Sequence, residues 1–194
     1  MINFFSITSD GVQKNTRKGN WLSVSNPTDR EKQLLHETYE LPKNFFSLGE
    51  KYSNVYFFKR YQTEDKKPLC LMLFIDIQSI DEPESLSAAV TVFLSSDVLI
   101  TVSEQSLINE VLDNYTSEIF TKAGLILHTL QIINEHYLTF LRKQRKTIEE
   151  ISQGTSYGSN KNILEKTTHT EKNLVYIDNL LKEQRRTITH LFRF

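Results

Sequence analysis

Residues 88–115 read AAVTVFLSSDVLITVSEQSLINEVLDNY, and the hydrophobic period changes inside them. Up to Ser103 the apolar and β-branched residues come in short strand-like runs. After it, Leu107, Val111, Leu112 and Tyr115 recur at helical spacing. The Ser96-Asp97 pair interrupts the apolar run as a tight connection, so residues 88–102 are expected to form an antiparallel hairpin. A chain that changes period once, near Ser103, should have a sheet on one side of that point and mainly helices on the other.

Upstream the expectation is a sheet. The segments INFFSI (2–7), WLSVS (21–25), NVYFFKRY (54–61) and LCLMLFIDI (69–77) are rich in Val, Ile, Phe and Tyr. Several are bounded by Gly, Pro, Asn, Asp or Ser, as strands are. Between the second and third, Thr28 stands three residues before Glu31 and makes a capping box ahead of Leu34 and Leu35, which starts a short helix. Pro42 then suits the first turn of a second short helix carrying Phe45, Phe46 and Leu48 inward.

Downstream, Ile126, Leu130, Ile133, Tyr137 and Phe140 alternate spacings of four and three, the seam of a long helix from about Thr121. The seam continues through Gln144 and Thr147 or Ile148 to Ile151. The polar tip QGTSYGSN (153–160) follows, and a second seam runs through Ile163, Thr167, Thr170, Leu174, Ile177, Leu181, Gln184, Ile188 and Leu191. Two such helices joined by a short tip form an antiparallel hairpin. The basic cluster RKQRK (142–146) then faces an arm containing Glu165 and Glu171, which makes it a solvated helix face. Thr167, Thr170 and Gln184 predict looser packing in the seam, and this arm is the expected mobile part. The fold class is therefore α/β: a mixed sheet flanked by helices, an α/β/α sandwich over residues 1–118, followed by a long antiparallel helical hairpin over 119–194.

Composition excludes several functions. Lys and Arg number 23 against 24 Asp and Glu, giving a net charge of −1, so no broad field draws the chain to nucleic acid. No phosphate-cradling glycine loop or nucleophile elbow occurs, and no enzyme activity is expected. The lone Cys70 lies in an apolar run that would raise its thiol pKa, which reads as a core residue in a reducing compartment. The five histidines nowhere stand three or four apart on a helix, so no zinc signature is present. The acidic runs at 63–65, 81–84 and 149–150 read as solvated surface. The longest apolar run, Leu69 to Ile75, is far short of the roughly 20 residues of a membrane span.

Three segments in succession carry a family resemblance: WLSVSNPTDREKQLLHETYELPKNFF (21–46), VLITVSEQSLINEVL (98–112) and EKNLVYIDNLLKEQRR (171–186). In order and wording the chain resembles the cytoplasmic region of CorA-type magnesium/cobalt transporters. That resemblance implies an α/β/α domain and helical hairpin leading into a stalk helix and two membrane spans, with a Gly-Met-Asn motif in the pore. Here the methionines are Met1 and Met72 only, and the final amphipathic helix reaches Phe194 without a stop signal, so continuation into a stalk is expected.

The resemblance further implies a regulatory domain on the cytoplasmic side of the membrane, lining the exit funnel and coupling divalent-cation level to gating. Its partners would be divalent cations and other subunits of the same transporter. Many family members place an Asp, with Glu and Arg after it, near the second short helix as part of a cation site. This sequence has Gly49 or Glu50 there and Val55 near the Arg position, which makes Glu50 the candidate metal ligand. No tightly bound cofactor is expected, only a weak, oxygen-ligated Mg2+ or other divalent cation. Without stalk and spans the chain is expected to be a soluble monomer or weak dimer. The competing reading is a soluble α/β small-molecule-binding domain or enzyme that dimerises through its hairpin.

Overall fold

The computed structural model describes residues 1–42, 45–47, 57–62, 68–77, 87–154 and 160–191. Strands β1 (Ile2–Thr8), β2 (Gly11–Asn15) and β3 (Trp21–Val24) precede helix α1 (Asp29–Tyr39). Strands β4 (Phe57–Gln62), β5 (Pro68–Ile77), β6 (Ser87–Ser95) and β7 (Leu99–Val102) follow. Helices α2 (Gln105–Tyr115), α3 (Lys122–Gly154) and α4 (Asn160–Leu191) end the described chain. The seven strands form one sheet in the order β2-β1-β3-β7-β6-β5-β4. Among the described strands only β3 and β7 run parallel, with Trp21 opposite Leu99 and Val24 opposite Val102. The other neighbours are antiparallel, including the expected hairpin of β6 and β7, in which Leu94 pairs with Leu99.

Each face of the sheet carries its own core. On one, Leu22, Val24, Leu71, Phe93 and Ile100 pack with Leu35 of α1, Leu41 and Phe45. On the other, Trp21, Cys70, Met72, Phe74 and Leu99 join Val111 of α2, Ile133, Tyr137 and Phe140 of α3, and Ile177 and Leu180 of α4. Alternation divides the side chains of β3 and β7 between the faces, and helices cover both, the α/β/α arrangement read from the sequence. Trp21 is fully buried, stacks on Phe5 at 4.4 Å between ring centroids, and donates Nε1–H to Thr101 Oγ1 at 3.0 Å.

Helix α1 starts where the capping box places it. Thr28 Oγ1 accepts from the Glu31 amide at 3.3 Å, and the Glu31 carboxylate accepts from the Thr28 amide at 2.8 Å. That contact holds the Glu31 pKa below the ordinary carboxylate value. Of the second short helix, residues 42 and 45–47 are described. Phe45 donates its amide to Pro42 O at 2.8 Å and is fully buried, while Leu48 lies outside the described residues. Strand β2 goes beyond the sequence expectation. Its GVQKN has a single strong β-former, and it survives as an edge strand paired to β1 alone, entered through Gly11 at φ +106°.

The first part of the α3 seam is as read: Ile126, Leu130, Ile133, Tyr137, Phe140 and Gln144 are buried, but its continuation is not, since Ile148 is exposed and Thr147 and Ile151 are only half-buried. The α4 seam is corrected. Its buried residues are Thr170, Asn173, Ile177, Leu180, Gln184 and Thr187, whereas Leu174, Leu181 and Ile188 are only half-buried and Thr167 is exposed. Every second expected position is displaced by one residue. Helix α4 packs against β4 and β5 as well as α3, so its inward stripe is turned toward the sheet and is wider than a two-helix seam requires.

Candidate functional site

A charged residue in the middle of an apolar strand needs a partner, and Asp76 is that residue in PLCLMLFIDI. Period-two alternation aims it, with Met72 and Phe74, at the helical face. Its side chain is only 5% exposed. Asp76 Oδ1 lies 2.7 Å from His136 Nδ1, on α3. The next residue, Tyr137, donates its hydroxyl to the Ile75 carbonyl at 2.8 Å. Two consecutive helix residues thus grip two consecutive strand residues.

The other imidazole nitrogen, His136 Nε2, lies 3.2 Å from Glu110 Oε2, on α2. Leu107, Ile108 and Val111 bury the inner stripe of α2, which leaves Glu110 at its edge with a side chain 42% exposed. Around this carboxylate–imidazole–carboxylate bridge opens a cavity of about 520 Å³, lined also by Glu104, Ser106 and Thr139. Glu104 borders a second cavity of about 470 Å³ on the opposite face, beside Asn26, Lys32 and Phe46.

The bridge holds the His136 pKa above the ordinary 6.5, first through the hydrogen bond to Asp76, with the Asp76 and Glu110 charges adding to it and burial opposing. A raised imidazole pKa stabilises the fold fully below about pH 6.5, and that contribution is lost as pH rises through the higher folded-state value. The three groups do not converge as metal ligands, because the carboxylates occupy opposite nitrogens of the ring. Among the described residues no cluster of three or more His, Cys, Asp or Glu is arranged to hold a metal ion.

Glu50, the metal candidate, lies outside the described residues, as do the acidic runs at 63–65 and 81–84. Cys70 is fully buried in the core, as expected. Three other histidines do separate local work: His36 Nδ1 sits 3.0 Å from Leu41 O, His128 stacks on Tyr115, and His169 Nε2 meets the Asn173 side-chain amide. The Asp76–His136–Glu110 bridge is the feature sequence reasoning missed. The aspartate inside an apolar strand was its visible signal, but a partner 60 residues away is not legible from spacing.

The model of the family described as CorA-like Mg2+ transporter protein matches residues 17–193. The chain belongs to that family. Its fold agrees: the soluble domain of CorA from Methanocaldococcus jannaschii superposes with a TM-score of 0.72 at 17% identity, over 97% of this chain and 78% of that one. The complete CorA magnesium transporter from the same organism gives 0.73 at 18% identity, with all of this CorA-like chain aligned to 62% of the transporter. The ZntB cytoplasmic domain from Vibrio parahaemolyticus RIMD 2210633 gives 0.72 at 13% identity, over 98% of this chain and 78% of that one. No curated protein matches the chain by sequence. Among the described residues no helix of this CorA-like chain is long and apolar enough to cross a membrane.

Proposed function

We propose that this chain is the cytoplasmic regulatory module of a CorA-like divalent-cation transporter, Mg2+ or Co2+ being the transported ions. In that role it lines the funnel below the pore and couples cation level to gating, with no catalysis of its own. The observation that carries the reading is the family match over residues 17–193, supported by a sheet-and-hairpin fold shared with the CorA soluble domain. Cations would be held weakly through oxygen, with water retained, and Glu50 is the candidate ligand.

The test begins with the gene. Its reading frame beyond residue 194 is expected to hold two apolar spans with Gly-Met-Asn at the end of the first. The encoded protein in lipid vesicles is expected to take up Mg2+ more slowly as internal Mg2+ rises. A frame without spans would remove the transporter reading. Uptake indifferent to internal Mg2+ would remove the regulatory one.

Assembly gives a second expected outcome. In the family, stalk helices and membrane spans hold most of the ring of subunits together. The polar residues of the hairpin seam, Thr170, Asn173, Gln184 and Thr187, are buried within the chain and present nothing to a second subunit. The 194-residue chain should sediment as a monomer or weak dimer at micromolar concentration, with or without millimolar Mg2+. A stable pentamer would show that this domain alone carries the information for assembly.

A further inference from the structure

We propose that His136 is a proton-operated clasp: protonated, it ties helix α2 to α3 and the sheet; neutral, it releases Glu110 while keeping Asp76. This inference rests on the bridge alone and does not depend on the transport reading. Both ring nitrogens face carboxylates, at 2.7 Å and 3.2 Å. An imidazolium can donate to both at once, whereas a neutral imidazole has one N–H and presents a lone pair at the other nitrogen. Deprotonation must therefore break one arm and set a lone pair against an anion.

Burial decides which arm breaks. The Asp76 side chain is 5% exposed and its bond to the ring is the shorter, while the Glu110 side chain is 42% exposed. Stripping the donor from a buried carboxylate costs far more than returning a half-exposed one to water. The remaining proton stays on Nδ1 toward Asp76, and Nε2 repels Glu110. One other charge lies close by: Glu104, immediately before α2, lines the same cavity, whereas Glu135, next to the histidine on α3, is turned to Gln131 and Tyr115. Ser106 and Thr139 are uncharged, and neither α4 nor β6 contributes a described side chain to the cavity. No described cation there replaces the lost proton, so α2 is left with Glu104 and Glu110 bordering a cavity that also contains the Asp76 charge.

The hydrogen bond to Asp76 raises the His136 pKa, so the change falls above the ordinary 6.5. Helix α2 follows directly from β7, whose end carries Val102, Ser103 and Glu104 along the cavity on the opposite face. The start of α2 thus borders a cavity on each side of the sheet.

The experiment is a pH titration of the 194-residue chain by nitrogen-15 NMR of the imidazole rings and backbone amides. His136 is expected to titrate above the ordinary 6.5 and to become the Nδ1–H tautomer, with α2 amides shifting at the same midpoint. Glu110→Gln keeps an arm in both states, since its amide accepts from imidazolium and donates to the neutral ring. The α2 amide shift should be lost in that variant while His136 still titrates as Nδ1–H. An Nε2–H tautomer in the parent chain, α2 amides silent at the His136 midpoint, or an unchanged α2 response in Glu110→Gln would each overturn the proposal. Because Glu110 is half-exposed, the variant folds, and its amide spectrum verifies this.

Discussion

Gly19→Ala is expected to destabilise the chain by roughly 3–5 kcal/mol, the upper range for a single substitution. A Cβ built at Gly19 falls 1.9 Å from the Phe5 carbonyl oxygen and 2.6 Å from its carbon. Both are backbone atoms, so no side-chain rotation relieves the clash. Strand β1 would have to withdraw, and it lies between two partners: Phe5 pairs with Lys14 of β2 and with Trp21 of β3. Withdrawal also strains the Asn20 side chain, which bridges the Ile7 amide at 2.8 Å and the Ile7 carbonyl at 2.9 Å. The stack of Phe5 on Trp21 would open with it.

Urea denaturation with a two-state fit measures the loss, and a thermal midpoint lowered by about 10 °C should accompany it. Gly124→Ala is the matched control. It sits in α3 with its nearest neighbour, Thr121 Oγ1, at 3.2 Å, and an alanine there gains helix propensity. Its stability should stay within about 1 kcal/mol of the parent. If Gly19→Ala were equally mild, β1 would not approach residue 19 as closely as described.

The contrast between those glycines bears on how far the sequence could be read. Local signals were legible because their physics is local. Thr28 and Glu31 close a capping box within one turn, and the change of period near Ser103 separates β7 from α2. The α3 seam needed only its own 3.5-residue repeat as far as Gln144, where its residues are buried as the repeat requires.

What escaped depends on partners distant in sequence. Strand β2 is held as an edge by its pairing to β1, and its composition gives little sign of this. The α4 stripe turned because a sheet, unseen by the helix's own repeat, competes with α3 for the same face. The same reason hid the candidate site. Asp76, Glu110 and His136 come from a strand and two helices, each placed by its apolar neighbours, and only the packed fold brings the three together. Its visible signals were single residues, a lone aspartate in an apolar strand and a histidine beside a seam tyrosine, and neither names its partner. Its geometry belongs to the tertiary structure.

That tyrosine supports the second large expected effect. Tyr137 is 1% exposed, packs in the cluster that joins the sheet to the helical hairpin, and donates to the Ile75 carbonyl at 2.8 Å. Tyr137→Phe removes only the hydroxyl, and a net loss of about 1 kcal/mol is expected, the usual net contribution of one buried hydrogen bond. Tyr137→Ala removes the ring as well and leaves a cavity bordered by rigid backbone, for which about 3–5 kcal/mol is expected. The two variants separate packing from hydrogen bonding at a single position.

They also separate docking from titration. Tyr137→Phe keeps the ring that seats α3 on β5, so His136 should stay beside Asp76 and retain its high midpoint. Tyr137→Ala loosens that seat one residue away, and the His136 midpoint should fall toward the ordinary 6.5 as the contact with Asp76 lengthens. Amide hydrogen exchange locates the loss: protection should drop along α3 and α4 before it drops in β3 and β7, because the hairpin separates from a sheet that keeps its own second core on the α1 face. Equal losses from the two variants, or an alanine variant costing no more than about 1 kcal/mol, would mean that the hairpin is held to the sheet without Tyr137.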